Sequence, residues 1–229
     1  AAARAGAEPV FTIEPGYPAA LAATDAPPPM LYIKGRSELL HRPAVAIVGS
    51  RSCSAAGAKL AGLFAHRLGE AGYVIASGLA RGIDGAAHSA ALASGTVAVL
   101  AGGIDHLYPP EHAALFERIG SEGCLITELP PGYKPRGQDF PRRNRIISGI
   151  SLGVVIVEAA ARSGTLVTAR YAGEQGRDVF AVPGHPLDPR AEGTNRLLKN
   201  GATLVTEAED VMRVLEPLSG LREGPASLR

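Results

Sequence analysis

Tryptophan is absent, aromatic residues of any kind make up 5% of the chain, and only two cysteines occur in its 229 residues. Cys53 and Cys124 stand far apart and outside any CxxC or Cys/His cluster, which argues against a zinc site and a disulfide scaffold and favours a reducing cytoplasm. Long hydrophobic runs are missing too. No window reaches the roughly 18 uninterrupted apolar residues of a transmembrane helix, so no membrane partner is expected. The opening AAARAGAEPV has no signal-peptide h-region, and its lack of a methionine suggests a trimmed chain. Charge of one sign is not in excess either: 23 basic against 22 acidic residues leave +1, which excludes a uniformly basic protein. What remains is a soluble globular composition, 46% hydrophobic, large enough for a sizeable core in one large domain, with two domains as the alternative.

The distribution of charge says more than its sum. From Gly132 to Ser151 five basic residues (Lys134, Arg136, Arg142, Arg143 and Arg145) face one acid, Asp139, so a local net of +4 sits on a chain otherwise at −3. Most of it lies in FPRRNRIISG, where three arginines and an asparagine fill four consecutive positions before the sequence turns apolar.

From Ala44 onward, short β-branched apolar runs alternate with helical stretches: VAIVG, YVIAS, TVAVLAG, CLITE, GVVIVEA, DVFAVPG and ATLVT. Runs this apolar are buried on both faces, which predicts a Rossmann-like, doubly wound α/β domain: a mostly parallel sheet with helices on both faces. The expected organisation is an N-terminal extension with a short strand over 1–43, the Rossmann-like domain over 44–216, and a flexible tail over 217–229. In such sheets ligands lie beyond the carboxyl ends of the strands, so the loops after the strands should share one rim.

The first of those loops, VGSRSCSAAG, offers Gly49, Ser50 and Arg51 before a helix: a close backbone approach, hydroxyl and amide donors, and a bidentate cation, all suited to phosphate. It lacks the Gly-Lys-Ser/Thr ending of a Walker loop and the GxGxxG of a dinucleotide site; a serine-capped turn is the alternative reading. SGLARGID supplies Arg81 and Asp84, with His88 expected to be a packing histidine. ARSGTLVTA supplies Ser163, Gly164 and Thr165 at another helix entrance.

Together with GGIDHLYP, FPRRNRIISG, VFAVPG and GTNRLLKNGA, these motifs occur in an order that resembles the DNA-processing protein A (DprA/Smf) family across roughly residues 44–205. The resemblance implies a Rossmann-like domain that binds single-stranded DNA, forms a homodimer and assists loading of a RecA-type recombinase in natural transformation. Carried onto this chain, Gly49, Ser50 and Arg51 match the phosphate-contacting GSR of the family. Phe140, Arg143, Asn144 and Arg145 match its FPxRNR, with Arg142 in the variable position. The arginines then read as forks for successive phosphates, and Phe140 as either a stacking face or a core anchor. No cofactor, metal or catalytic residue is expected. The competing reading is a nucleotide-processing enzyme of the lysine-decarboxylase-like phosphoribohydrolase type, whose PGGxGTxxE carboxylate is replaced here by Thr168.

Overall fold

The structure, a computed structural model, describes residues 2–221. The seven apolar runs become the strands β3 (Ala44–Val48), β4 (Val74–Ser77), β5 (Thr96–Val99), β6 (Cys124–Thr127), β7 (Gly153–Ile156), β8 (Asp178–Ala181) and β9 (Thr203–Leu204). They are parallel throughout, in the spatial order 6-5-4-3-7-8-9. The chain winds outward from β3 to β6, returns, and winds the other way from β7, so β3 and β7 flank the point where the direction reverses.

Side-chain alternation along the strands assigns the helices to faces. Val45 and Ile47 pack with α2 (Ala55–Glu70), α3 (Ile83–Ala91) and α8 (Ala208–Ser219), whereas Ala44, Ala46 and Val48 share a core with α5 (Asp139–Gly149) and α6 (Thr165–Glu174). In α2 the buried set Ala61, Phe64, Ala65 and Leu68 recurs at helical spacing and forms one stripe. Phe116 and Ile119 of α4 (Ala113–Glu122) close a third cluster over Ala98 and Leu125. The remaining helix of this region is α7 (Glu192–Lys199). The doubly wound α/β expectation therefore holds.

The N-terminal segment is not an appendage. β2 (Met30–Gly35) pairs antiparallel with β6, Ile33 opposite Ile126, and β1 (Glu8–Phe11) adds outside it, so the nine-stranded sheet crosses the expected boundary at residue 43. The short helix α1 (Ala19–Ala22) plugs Leu21 against Gly149, where a Cβ would come within 2.5 Å of Leu21 Cδ1. Tyr17 is buried, donates its hydroxyl to Pro28 O at 2.7 Å, and has its ionisation pushed up by that burial. At the other end α8 continues through Ser219 into the region expected to be a tail, and Leu221 packs on the α2 face; residues 222–229 lie outside the described residues.

His88 on α3 is fully buried, as a packing histidine should be. Thr96 already donates its hydroxyl to Ile75 O, so its oxygen accepts from His88 Nδ1–H at 2.7 Å, which fixes the neutral tautomer. Nε2 has no hydrogen-bond partner among the described residues. Burial, and then the neighbouring His112 and Arg143, bring the ring down to about 3. Because the folded value lies below the unfolded one of about 6.5, the unfolded chain binds more protons between the two. The stability given by neutral His88 is present above that window and drains as pH falls through it. Asp84, raised by burial, acts in the opposite sense. Urea unfolding across this range should show a shallower loss for His88→Gln than for the wild type, by up to about 1.4 kcal/mol per pH unit; parallel curves would remove His88 from the acid sensitivity.

Candidate nucleic-acid interface

The loops after β3, β4, β5 and β7, with the first turns of α5, make the carboxyl rim of the sheet. Two cavities open there. One of about 280 Å³ is lined by Arg51, Gly78, Arg81, His106, Tyr108 and Phe140. The other, of about 630 Å³, is lined by Gly49, Ser50, Asn144, Arg162, Ser163 and Thr165. Arg51, Phe140 and Arg143 border both, so the two form one groove. At the shared wall the Phe140 and Tyr108 rings lie 5.2 Å apart, tilted by 59°, and the Arg51 guanidinium sits 5.3 Å from the Phe140 centroid. Phe140 is half-exposed, a groove wall more than a core anchor.

The run RRNR is not one comb of cations, because it is helical. At about 100° per residue, Phe140, Arg143 and Asn144 face the groove while Arg142 and Arg145 turn away. Pro141 falls in the first turn, where an amide has no intrahelical partner to lose. Arg142 and Arg145 converge on one Glu128 carboxylate oxygen at 3.1 and 2.5 Å. Arg145 also donates to Ala26 O at 2.9 Å and so ties the N-terminal segment to α5.

Arg143 faces the groove but is buried at 6% exposure. Its Nη1 donates to Gly78 O at 2.8 Å and to Val99 O, and its Nε to Asn144 Oδ1 at 3.2 Å. Burial lowers its affinity for the proton to about 10, partly offset by Asp84. Asp84 accepts from Gly78 N at 3.1 Å and from Ala80 N at 3.3 Å, so acid and cation clamp the same loop from opposite sides. Gly78 is the only side-chain size that fits: a Cβ would stand 2.5 Å from Arg143 Nη2. Gly82, at φ 73°, is required for a second reason, since a Cβ there would meet Ser50 O at 2.3 Å.

The other expected residues fall on the rim with different freedom. Arg51 is exposed. Arg81 is exposed but paired with Glu111 at 3.2 Å. Gly49 is buried against Ile83, and its carbonyl accepts from Thr165 Oγ1 at 3.0 Å. Ser163 Oγ accepts from Thr165 N and donates to Thr165 Oγ1, and exposed Gly164 accepts from Asn144 Nδ2 at 3.4 Å. These small residues build the wall between loops. Sequence reasoning missed Arg162, an exposed cation on the wide cavity, and Tyr108 on the narrow one. Both were legible as neighbours of quoted motifs, Arg162 directly before SGT and Tyr108 within GGIDHLYP.

Residues 8–216 match the family of DNA recombination-mediator protein A. The chain belongs to that family. Protein Smf of Escherichia coli is 48% identical over 203 residues, which cover 87% of this chain and 54% of that protein, so the chain spans about half the length of this relative. The X-ray structure of DprA from Streptococcus pneumoniae superposes with a TM-score of 0.86 at 42% identity, covering 90% of this chain and 74% of that one. DprA from Helicobacter pylori, whose structure describes a single-stranded DNA binding mode, superposes at 0.84 with 28% identity over 93% of this chain and 97% of that one.

Within the family's basic helix, the two outward arginines should separate by stability. Arg145 and Glu128 keep side-chain exposures of 17% and 9%, against 58% for Arg142. Arg145→Ala removes the closer and less exposed of the two partners of a buried carboxylate, leaving it exposed Arg142 alone, and takes the donor from Ala26 O, so it should destabilise by about 1.5–3 kcal/mol, whereas Arg142→Ala should stay within about 0.5 kcal/mol. Urea midpoints measure both, and equal losses would contradict the strap.

Proposed function

We propose that this chain binds single-stranded DNA along the rim groove with little base preference, and does so without catalytic turnover. The observation that carries the reading is the continuity of the two cavities past a wall made by Arg51, Phe140 and Tyr108. A cation beside an aromatic face serves a phosphate and the adjoining base together, and an unpaired strand exposes both. Family membership and the single-stranded DNA binding mode reported for the H. pylori protein support the same reading. The exposed cation Arg51 borders both cavities at that wall, and exposed Arg162 lines the wide one. Arg143 and Arg145, matched to the family motif, act in this reading as supports for the groove, Arg143 by holding Gly78 and Arg145 by holding the N-terminal strap.

The nucleotide-processing alternative needs an acid at the position of Thr168, which is buried at 2% exposure and carries none. Among the described residues, no helix is long and apolar enough to cross a membrane.

The family resemblance extends the reading to a homodimer that passes the strand to a RecA-type recombinase. The sequence over 195–217 suggests self-association through Leu197, Leu198, Val211, Met212, Val214 and Leu215; of these Val211 and Leu215 are buried, Met212, Val214 and Leu197 pack on the core, and Leu198 is half-buried. Leu198, with exposed Leu204 on the edge strand β9 and Leu218 on α8, is what this end offers a partner copy.

Titration with an oligothymidine should show affinity falling with salt at a log–log slope of about −2 to −3.5, for roughly three to five neutralised phosphates. Arg51→Ala should lose about 1.5–3 kcal/mol of binding while remaining folded. Unchanged affinity in that variant, or tighter binding of a free mononucleotide than of the strand, would sink this reading and favour the enzyme. Light scattering should give the mass of two copies for the free chain and co-elution with a RecA-type recombinase on the strand; a monomer at every concentration counts against the dimer.

A further inference from the structure

In a doubly wound sheet the place prepared for a ligand's phosphate is the crevice where the winding reverses, against the amino end of the helix that follows the first strand. Here that crevice lies between the carboxyl ends of β3 and β7, and the helix is α2, sixteen residues long. The position is already filled from within. Glu158, two residues past β7, turns its carboxylate onto the first turn of α2. Oε2 accepts from Ser54 N at 2.9 Å, and Oε1 accepts from the Ser54 hydroxyl at 2.5 Å. The same hydroxyl oxygen accepts from Gly57 N at 2.8 Å, so the helix cap and the carboxylate are one hydrogen-bonded unit.

Two further observations fix the carboxylate there. A Cβ on Gly57 would lie 2.6 Å from both the carboxyl carbon and Oε1, so the group rests on backbone cleared of side chain. Its charge is felt nearby: after burial, it is the next cause that raises the Cys53 thiol, and it helps to raise Arg190. A negative end of a side chain against helix amides satisfies both the dipole and the free N–H groups.

We propose that Glu158 is a resident anion that determines specificity at this rim. It holds the phosphate position of the fold and turns away the terminal phosphate of a mononucleotide or dinucleotide, because a second anion would have to displace the first or share its donors. Phosphates are left to the outer cations Arg51 and Arg162. This last clause rests on the single-stranded DNA reading, while occupancy of the crevice does not.

The experiment uses the whole chain with inorganic phosphate and acetate as probes, at ionic strength held constant with sodium chloride. Glu158→Ala should melt below the wild type and recover in a dose-dependent way with either anion, as expected when a ligand binds the folded state alone. The wild type and Glu158→Gln, whose crevice is still filled, should not respond. In amide NMR the Ser54 and Gly57 signals of Glu158→Ala should move with phosphate, and its phosphate affinity should exceed that of the wild type by about tenfold or more. A folded Glu158→Ala that ignores both anions overturns the proposal. Should that variant not fold, wild-type Ser54 and Gly57 amides that shift on adding phosphate overturn it as well, and wild-type amides that stay still uphold it. Oligothymidine binding by the wild type is read separately, so loss of the DNA reading leaves the anion rescue standing, and the reverse.

Discussion

The guanidinium of Arg143 sits under the carboxyl edge of the sheet, and a cation there must be met by oxygen lone pairs or expelled. The carbonyls of Gly78 and Val99 meet it, and they belong to the loops after β4 and β5, so one side chain from α5 spaces two of the turns that form the groove. Asp84 grips the amides of the same β4 loop from α3. The rim is thus held by a buried polar lattice drawn from three segments. Each member leaves another unsatisfied if removed, which makes the geometry specific without making it especially stable.

Much of this architecture is legible in the sequence because burial on both faces leaves a plain signature. The seven β-branched runs are strands for that reason, and the parallel, doubly wound order follows from the helices between them. The N-terminal hairpin is less legible: EPVF is short and contains a proline, and its pairing partner lies some twenty residues on. The site divides in the same way. That GSR, FPRRNR and SGT meet on one rim follows from strand order. Which arginines reach solvent depends on helical phase and on acids far away in sequence. Glu128 draws Arg142 and Arg145 away from the groove onto one carboxylate oxygen. Glu158 finds Ser54 across 104 positions, a separation no local pattern reveals.

For the strand-binding reading proposed above, the consequence is a shift in which atoms are available to the ligand. A reading by motif puts phosphates on helix amides and on a row of arginines. In the folded chain, the Ser54 amide at the start of α2 is engaged by an internal carboxylate and the Gly57 amide by the Ser54 hydroxyl, and the row is parted by the turn of α5. Contacts that can meet a ligand are few and lie on side chains at the lip of the groove, beside aromatic faces. Such a surface is tolerant of sequence, since every base has a face and every nucleotide a phosphate.

The two ends of the sheet are unlike. At one, β1 carries Pro9, which has no amide hydrogen to offer a further strand, and it is only four residues long. At the other, β9 is a two-residue edge with an exposed leucine. Margins this short, one of them carrying a proline, offer little backbone to an incoming strand, so the sheet is closed to growth by strand addition at both sides.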